Sequence, residues 1–159
     1  MTEILAVAQK GEGVLSLIAK PLSQEEMHSN WIKTFAHAMQ VTMQERNGVG
    51  IAAPQVYLSK RIIIVASRPN LRYPDAPYMD EIVMLNPEIL AQSEQTILGE
   101  EGCLSVPDER GNVARAENIT VQYFTLEGEK VTQDFSGFPA RIVQHEIDHL
   151  NGVLFVDRF

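Results

Sequence analysis

The residues best suited to chemistry lie in the segment His145-Glu146-Ile147-Asp148-His149. Two histidines four positions apart lie on one face of a helix, so both imidazoles can bind the same metal ion. Glu146 lies beside that face, where a carboxylate can act as a general base. The segment therefore predicts a metal site of the kind found in metal-dependent hydrolases.

A catalytic metal site needs a third protein ligand and an open position. Only ten residues follow His149, and they contain neither His nor Glu, so the third ligand is expected upstream. Cys103 is the strongest candidate, because a thiolate is a soft ligand and the preceding Gly102 permits close backbone approach. His28 and His37, on a predicted amphipathic helix, are the competing candidates.

The segment GVGIAAPQ, residues 48–55, combines flexible glycines, small residues and a terminal amide. It lacks the Lys-Ser/Thr ending of a phosphate loop and the third glycine of a dinucleotide fingerprint, so a nucleotide site is not supported. The Gln55 amide could donate to a developing oxyanion, although a glutamine after proline is usually a simple loop residue.

The elements that must position these residues begin with a helix. Ser23 and Glu26 have capping-box spacing, which predicts a helix from Gln24 to a left-handed cap at the pair Asn47-Gly48. Its predicted core stripe comprises Met27, Trp31, Phe35, Ala38 and Met39.

Strands and a second helix are predicted further along the chain. Residues 61–67 and 82–86 are expected to form short buried strands joined by a proline-rich surface loop, and residues 118–125 and 130–135 a hairpin. The apolar positions Ile142, Val143, Ile147 and Leu150 predict a central helix over residues 139–150, which carries both histidines of the motif.

Composition limits the class of protein. A length of 159 residues predicts a single domain, and 45% hydrophobic with 21% charged residues excludes wholesale disorder. A formal charge of -8 disfavours autonomous binding to nucleic acid or to anionic membranes. One cysteine, no apolar run of membrane-spanning length and no signal-like N-terminus predict a cytoplasmic protein without an internal disulfide.

Three ordered motifs, GVGIAAPQ, EGCLS and QHEIDHLNG, resemble those of the peptide deformylases. They cover 22 positions, and the intervening segments are compatible with the same family. The resemblance implies an α+β fold of one domain over residues 1–159, with mixed or antiparallel strands packed around the motif-bearing helix and the first helix outside.

The resemblance also implies the chemistry. Cys103, His145 and His149 would bind one divalent metal, natively Fe²⁺, although ligand chemistry alone favours zinc, and Zn²⁺, Ni²⁺ or Co²⁺ could occupy the site in preparations. Metal-bound water would attack the formyl group of formyl-methionyl nascent chains and release formate, with Glu146 as general base and then acid. The oxyanion would be stabilised by the Gln55 amide and the Leu104 backbone N–H.

Substrate contacts are implied in the same way. Gly50 would offer backbone hydrogen bonds to a peptide lying like an added strand. The methionine pocket would use Val49, Phe138, Ile142 and the face of His145, and Arg110 would help to hold the peptide backbone. Arg141 is expected in a turn flanking this pocket, where it could narrow the entrance or make it more polar.

Two alternative functions remain at this stage: a small peptidase with the same metal chemistry, and a non-enzymatic metal-binding module. Many bacterial deformylases continue into a C-terminal helix that contacts the ribosome, whereas this sequence ends at Phe159. The acidic composition also disfavours docking on ribosomal RNA, so the ribosome is kept as an open alternative among the partners.

Overall fold

The computed structural model describes residues 4–71 and 73–159. The helices are α1 (Gln24–Met27), α2 (Asn30–Glu45) and α3 (Gly137–Leu150), with short 3-10 turns at Gly13–Ser16, Ala53–Val56 and Phe155–Arg158. The strands are β1 (Gly50–Ala52), β2 (Ile62–Ser67), β3 (Met79–Gln92), β4 (Thr96–Cys103), β5 (Val106–Ala116), β6 (Asn118–Phe124) and β7 (Lys130–Ser136). No helix in the described ranges is both long and apolar enough to cross a membrane.

The strands form two antiparallel sheets. The larger has the order β1-β2-β3-β6-β7, and the smaller is the hairpin β4-β5. The predicted α+β class is confirmed, and β1 lies at an edge of the larger sheet. This edge matters because an edge strand keeps hydrogen-bonding groups available to an incoming chain.

Alternate faces of β2 contact different helices. Ile63 and Val65 pack in a cluster with α3, whereas Ile62, Ile64 and Ala66 pack in a cluster with α2. Side chains alternate across a strand, so burial of all six residues of β2 follows from having a helix on each side of the sheet. The sequence prediction of a central motif-bearing helix is confirmed, since every residue from 140 to 150 is buried.

The first helix is interrupted, contrary to the prediction. Ser23 and Glu26 form the expected capping box, but α1 ends after one turn and Ser29 caps a second start by accepting from the Ile32 N–H. Trp31 is 47% exposed, so its assignment to the core was wrong. The new start changes which face of α2 meets the sheet. The left-handed ending is confirmed, because Asn47 has φ of 55°.

The strand predictions were incomplete. The strand expected at residues 82–86 extends over the whole of β3, and the hairpin β4-β5 was not predicted. Most residues of β5 between its two ends are exposed, so its sequence carries little hydrophobic alternation. The hairpin of β6 and β7 is confirmed, and α3 begins two residues before its predicted start.

Candidate active site

Three potential metal ligands meet between β4 and α3. Cys103 ends β4, His145 and His149 lie on α3, and the ligand atoms of all three lie within 4.8 Å of one another. The Cys103 Sγ lies 3.4 Å from the His149 Nε2, and all three side chains are buried. His28 and His37 are exposed and lie outside this cluster. The structure therefore brings together the two histidines of the motif and the preferred upstream candidate.

Glu101 orients one of these ligands. Its Oε1 lies 2.9 Å from the His145 Nδ1, which leaves the other ring nitrogen for the cluster. Burial raises the pKa of Glu101, but hydrogen bonds from Arg115 and His145 outweigh it and hold the pKa well below its ordinary value. Glu101 therefore stays ionised and accepts from His145. Sequence reasoning quoted this residue within EGCLS but assigned it no role, although its position two residues before a ligand was a signal.

A buried chain of charges extends from Glu101. Arg115 donates to both Glu101 oxygens at 2.9 Å and, through Nη1, to Asp148 at 2.5 Å. Arg158 donates to Asp148 as well, at 2.5 and 2.8 Å. These ion pairs join β4, β5, α3 and the last 3-10 turn around the candidate site. Asp148, which lies between the two motif histidines in the sequence, is a buried member of this network.

Arg141 is not at the pocket entrance, so the sequence expectation was wrong. It lies within α3 and is only 7% exposed. Its guanidinium donates to the carbonyls of Ile97 at 2.6 Å and Val113 at 2.8 Å, and to Glu101 at 2.7 Å. Arg141 therefore fastens the hairpin β4-β5, which carries Cys103, onto the helix that carries the histidines. Arg141 is therefore absent from the cavity lining, because its guanidinium is held by these three acceptors.

The charge state of the cluster suits a cation. Burial raises the pKa of the Cys103 thiol, but positive charge on His149 and a hydrogen bond with His145 hold it well below its ordinary value. Burial lowers the pKa of His145, but hydrogen bonds with Cys103 and Glu101 raise it well above its ordinary value. The negative charge of the Cys103 thiolate attracts a cation, and a bound metal would take the place of the proton on His145. Among the described residues, this group contains no fourth protein ligand. A Cys-His-His donor set therefore fits a metal ion with one open coordination position.

Glu146 faces the same cavity. Burial raises its pKa to about 7, and Oε1 is buried without a hydrogen-bond partner among the described residues. A Cβ added at Gly50 would lie within 2.9 Å of the Glu146 side-chain carbons, so the close approach of β1 requires glycine there. A carboxyl group with such a pKa can exchange protons near neutral pH.

Gln55 is held in a defined orientation. Its Oε1 accepts from the Ala52 N–H at 2.9 Å, and its Nε2 donates to the Ser105 Oγ at 3.0 Å and lies 3.5 Å from the Cys103 Sγ. The amide donor is therefore directed toward the ligand cluster. Such a fixed donor can stabilise negative charge without reorganising.

The cavity contains most of the predicted substrate residues. Its lining comprises Asn47, Gly48, Val49, Gly50, Gln55, Tyr73, Glu101, Gly102, Cys103, Leu104, Ile142, His145 and Glu146. Phe138 and Arg110 line a neighbouring depression instead, which shares Tyr73 with the cavity. Phe138, predicted for the methionine pocket, therefore lies outside the cavity lining, and Arg110 lies beside it in the same depression, which we call the mouth of the site.

Tyr73 was missed by sequence reasoning. Its ring centroid lies 4.7 Å from that of Phe138 and 5.2 Å from the Arg110 guanidinium carbon. Its hydroxyl accepts a hydrogen bond from the Gly102 N–H at 3.1 Å. Tyr73 lies in the proline-rich loop, where no periodic pattern marks a residue as part of a site.

Comparison with known proteins agrees with this geometry. The sequence profile of the family described as polypeptide deformylase matches residues 2–159. Peptide deformylase 2 of Nostoc sp. is 46% identical over 156 residues, which span 98% of this chain and 86% of the relative. Peptide deformylase 2 of Shewanella oneidensis is 44% identical over 154 residues, with 97% and 83% covered.

Solved structures share the fold along the whole chain. The Met-Ala-Ser-bound class I type b peptide deformylase from Acinetobacter baumannii is 66% identical, with a TM-score of 0.98 and complete coverage of both chains. Peptide deformylase from Thermotoga maritima is 35% identical, with a TM-score of 0.87 and 99% and 98% coverage. The chain therefore belongs to the peptide deformylase family, whose members hydrolyse the formyl amide of N-formylmethionine and so deformylate nascent polypeptides.

Proposed function

We propose that Cys103, His145 and His149 hold the divalent metal of this deformylase. The observation that carries this proposal is the convergence of three buried ligand atoms within 4.8 Å. Glu101 supports it by accepting from His145 and so fixing which ring nitrogen faces the cluster. A bound divalent cation supplies Lewis acidity, which polarises a carbonyl oxygen and lowers the pKa of a coordinated water.

The native metal is proposed to be Fe²⁺, as the family resemblance implies. A thiolate and two imidazoles also suit Zn²⁺, Ni²⁺ and Co²⁺, so the donor set supports several divalent ions. Metal analysis of protein purified anaerobically from cells tests the assignment. Bound iron near one per chain is expected, and zinc as the dominant metal under the same conditions would contradict it.

Glu146 is proposed to move the protons. Its carboxylate takes a proton from the attacking water and gives it to the amine that leaves when the formyl C–N bond breaks. The products are then formate and a free N-terminus. The buried, unpartnered Oε1 and a pKa of about 7 support this role, because the group is neither neutralised by an ion pair nor strongly acidic.

Two donors are proposed to stabilise the oxyanion. The Gln55 Nε2 is directed toward the ligand cluster by the bond from the Ala52 N–H to its Oε1. The Leu104 backbone N–H, next to Cys103 in sequence, is assigned from the family resemblance, and Leu104 lines the cavity. Removal of a single oxyanion donor typically costs about 3 kcal/mol of transition-state stabilisation.

The peptide is proposed to lie as a strand between two sheet edges. Gly48, Val49 and Gly50 line one side of the cavity, and Glu101 and Gly102 of β4 line the other. β1 and β4 each have strand neighbours on one side only in the described sheets, which leaves an edge for an added strand. The Acinetobacter relative has been solved with Met-Ala-Ser bound, which supports a peptide of this length as ligand.

Side-chain recognition is proposed to begin with methionine. Val49, Ile142 and the face of His145 supply an apolar wall inside the cavity. Phe138 and Arg110 lie at the mouth, where they can contact the residues that follow methionine. The positions of these side chains support an order of contacts from the formyl end outward.

The setting is proposed to be cytoplasmic, with residues 1–159 as one catalytic domain. A net charge of -8 weakens the attraction of the protein to ribosomal RNA. Action on nascent chains without stable docking on the ribosome is therefore favoured. Sedimentation with ribosomes at physiological salt tests this, and retention in the ribosome pellet would contradict it.

Formate release from formyl-Met-Ala-Ser tests the assignment of the site. Anaerobically purified, iron-loaded protein is compared with Glu146→Ala carried through the same preparation. Turnover that is lost in the variant, with metal content near one per chain in both, supports Glu146 as the base. Equal turnover in the variant would overturn that role.

Acetyl-Met-Ala-Ser serves as the matched substrate. A pocket that closes beyond the formyl hydrogen excludes the extra methyl group. Strong preference for the formyl peptide is therefore expected, whereas cleavage of unformylated internal peptide bonds would favour the peptidase alternative.

A further inference from the structure

A backbone donor on the peptide path is already engaged. The Gly102 N–H donates to the Tyr73 hydroxyl at 3.1 Å, and both residues line the cavity. The pairing of β4 with β5 shifts register between Glu101 and Cys103, so Gly102 lies at an irregularity of the ladder. The donor is therefore satisfied by a side chain rather than by a strand.

The position of the Tyr73 hydroxyl is fixed by its neighbours. The ring packs at a tilt of 52° against Phe138, with centroids 4.7 Å apart. On another side the Arg110 guanidinium lies 5.2 Å from the ring centroid and is itself paired with Glu100 at 2.5 Å. An aromatic ring held by an aromatic partner and a cation presents its hydroxyl at a defined point.

Substrate and hydroxyl compete for the same donor. A peptide strand beside β4 gains affinity from main-chain hydrogen bonds, and the outward-facing donors of that edge are what it uses. One N–H makes one well-aligned hydrogen bond, so a peptide carbonyl can engage Gly102 only after the phenolic oxygen has moved away. The Tyr73 oxygen thus occupies the place of a substrate acceptor.

We propose that Tyr73 is a latch that weakens binding of peptide in a sequence-independent way. In the free enzyme its hydroxyl caps the Gly102 N–H, and the bound peptide displaces it with a backbone carbonyl. Because formylated substrate and deformylated product share this backbone, the latch weakens both and promotes product release. The inference rests on the strand-like binding proposed above and adds a specific competitor to it.

The substitution Tyr73→Phe removes the hydroxyl and keeps the ring against Phe138 and Arg110. In metal-loaded protein, the KM for formyl-Met-Ala-Ser and the Kd for Met-Ala-Ser should both fall about threefold to tenfold, the difference made by one neutral hydrogen bond. Isothermal titration calorimetry gives the Kd and formate release gives the KM. An unchanged or larger Kd in the variant would overturn the latch.

The Gly102 amide reports on the exchange directly. Zinc-loaded protein suits NMR because Zn²⁺ is d¹⁰ and diamagnetic. The Gly102 amide proton shift should differ between Tyr73→Phe and the unsubstituted protein when both are free. With Met-Ala-Ser at saturation the two shifts should converge, because the peptide carbonyl has replaced the hydroxyl. A difference that persists at saturation would show that Tyr73 keeps its bond, and would overturn the proposal.

Tyr78→Phe is the matched control. Tyr78 lies in the same part of the chain, is 74% exposed and donates its hydroxyl to Asp80 at 2.6 Å, outside the cavity lining. This variant should bind peptide like the unsubstituted protein, and a matching gain in affinity would overturn a role specific to Tyr73. If the unsubstituted protein neither binds nor deformylates the peptide, the proposed function itself fails. If it does both and Tyr73→Phe behaves identically, the latch alone fails.

Discussion

The inner wall of the cavity, where Glu101 and the candidate metal ligands lie, differs from the mouth in the contacts that hold it together. At the inner wall, Glu101 is 2% exposed and bonds to Arg115, Arg141 and His145, so both of its carboxylate oxygens have fixed partners. At the mouth, Arg110 is exposed and Tyr73 is half-buried, and the Arg110 guanidinium lies over the Tyr73 ring. Reacting groups are thus held by buried charges, and peptide recognition depends on weaker, replaceable contacts. Substitutions should therefore have larger effects inside than at the mouth.

Removal of the metal should have the largest effect. Chelation followed by gel filtration is expected to reduce deformylation to background, because enzymes of this kind owe many orders of magnitude in rate to a site that includes the metal. Fe²⁺ added anaerobically should restore turnover. Formate release and metal content are measured on the same samples. Full turnover at metal content far below one per chain would contradict a metal centre at Cys103, His145 and His149.

Substitution of Arg141, which joins α3 to the hairpin β4-β5, should have the second-largest effect. Arg141→Met leaves the Ile97 and Val113 carbonyls without this donor and removes one of the cations around Glu101. Breaking a buried pair on one side typically costs about 3 to 5 kcal/mol, and Arg115 retains its bonds to Glu101, so a loss near about 3 kcal/mol in unfolding free energy is expected. Urea unfolding of the metal-free protein measures it.

Arg46→Met is the surface control for Arg141→Met, since Arg46 is exposed at the end of α2. It should change the unfolding free energy little. Similar losses in the two variants would show that the buried position of Arg141 contributes nothing special, and the contrast between wall and mouth would weaken.

Substitution of Gln55 tests the catalytic contribution of an uncharged hydrogen-bond donor. Gln55→Ala should lower kcat about a hundredfold or more, because an oxyanion donor acts in the transition state. KM should change less. Steady-state formate release at constant metal content distinguishes the two. A rise in KM with unchanged kcat would place Gln55 in substrate binding instead.

Arg110 should show the smallest effect. Arg110→Met removes a side chain that can contact the peptide beyond methionine, and water and salt screen contacts at this exposed position. A rise in KM of a few-fold, with kcat close to its original value, is expected for formyl-Met-Ala-Ser. A loss of kcat comparable to that of Gln55→Ala would show that the mouth is as tightly coupled to the chemistry as the wall.

The sequence predicted those parts of the site whose spacing is local. His145 and His149 are four residues apart on one helix, so helical geometry alone brings their rings together. Cys103 was preferred over His28 and His37 on ligand chemistry and assigned as a ligand by family resemblance, although 46 residues separate it from His149. The α+β class followed from family resemblance, whereas strand order depends on long-range pairing that no local pattern encodes.

Other features were hidden for identifiable reasons. The hairpin β4-β5 is largely exposed, so its sequence has no apolar alternation to detect. Arg141 looked like a pocket residue because its partners, the Ile97 and Val113 carbonyls, belong to that undetected hairpin. Trp31 was placed in the core because a second cap at Ser29 restarts the helix and changes its buried face.

The separation of Cys103 from the histidines has a consequence for the order of folding. Closing a loop of this length costs entropy that must be offset by packing of α3 against the hairpin. The centre therefore forms only when a long-range contact forms, and local helix formation alone cannot produce it. During synthesis, α3 must have left the exit tunnel of the ribosome before the three side chains can meet, so the proposed metal site can form only after both histidines have been released.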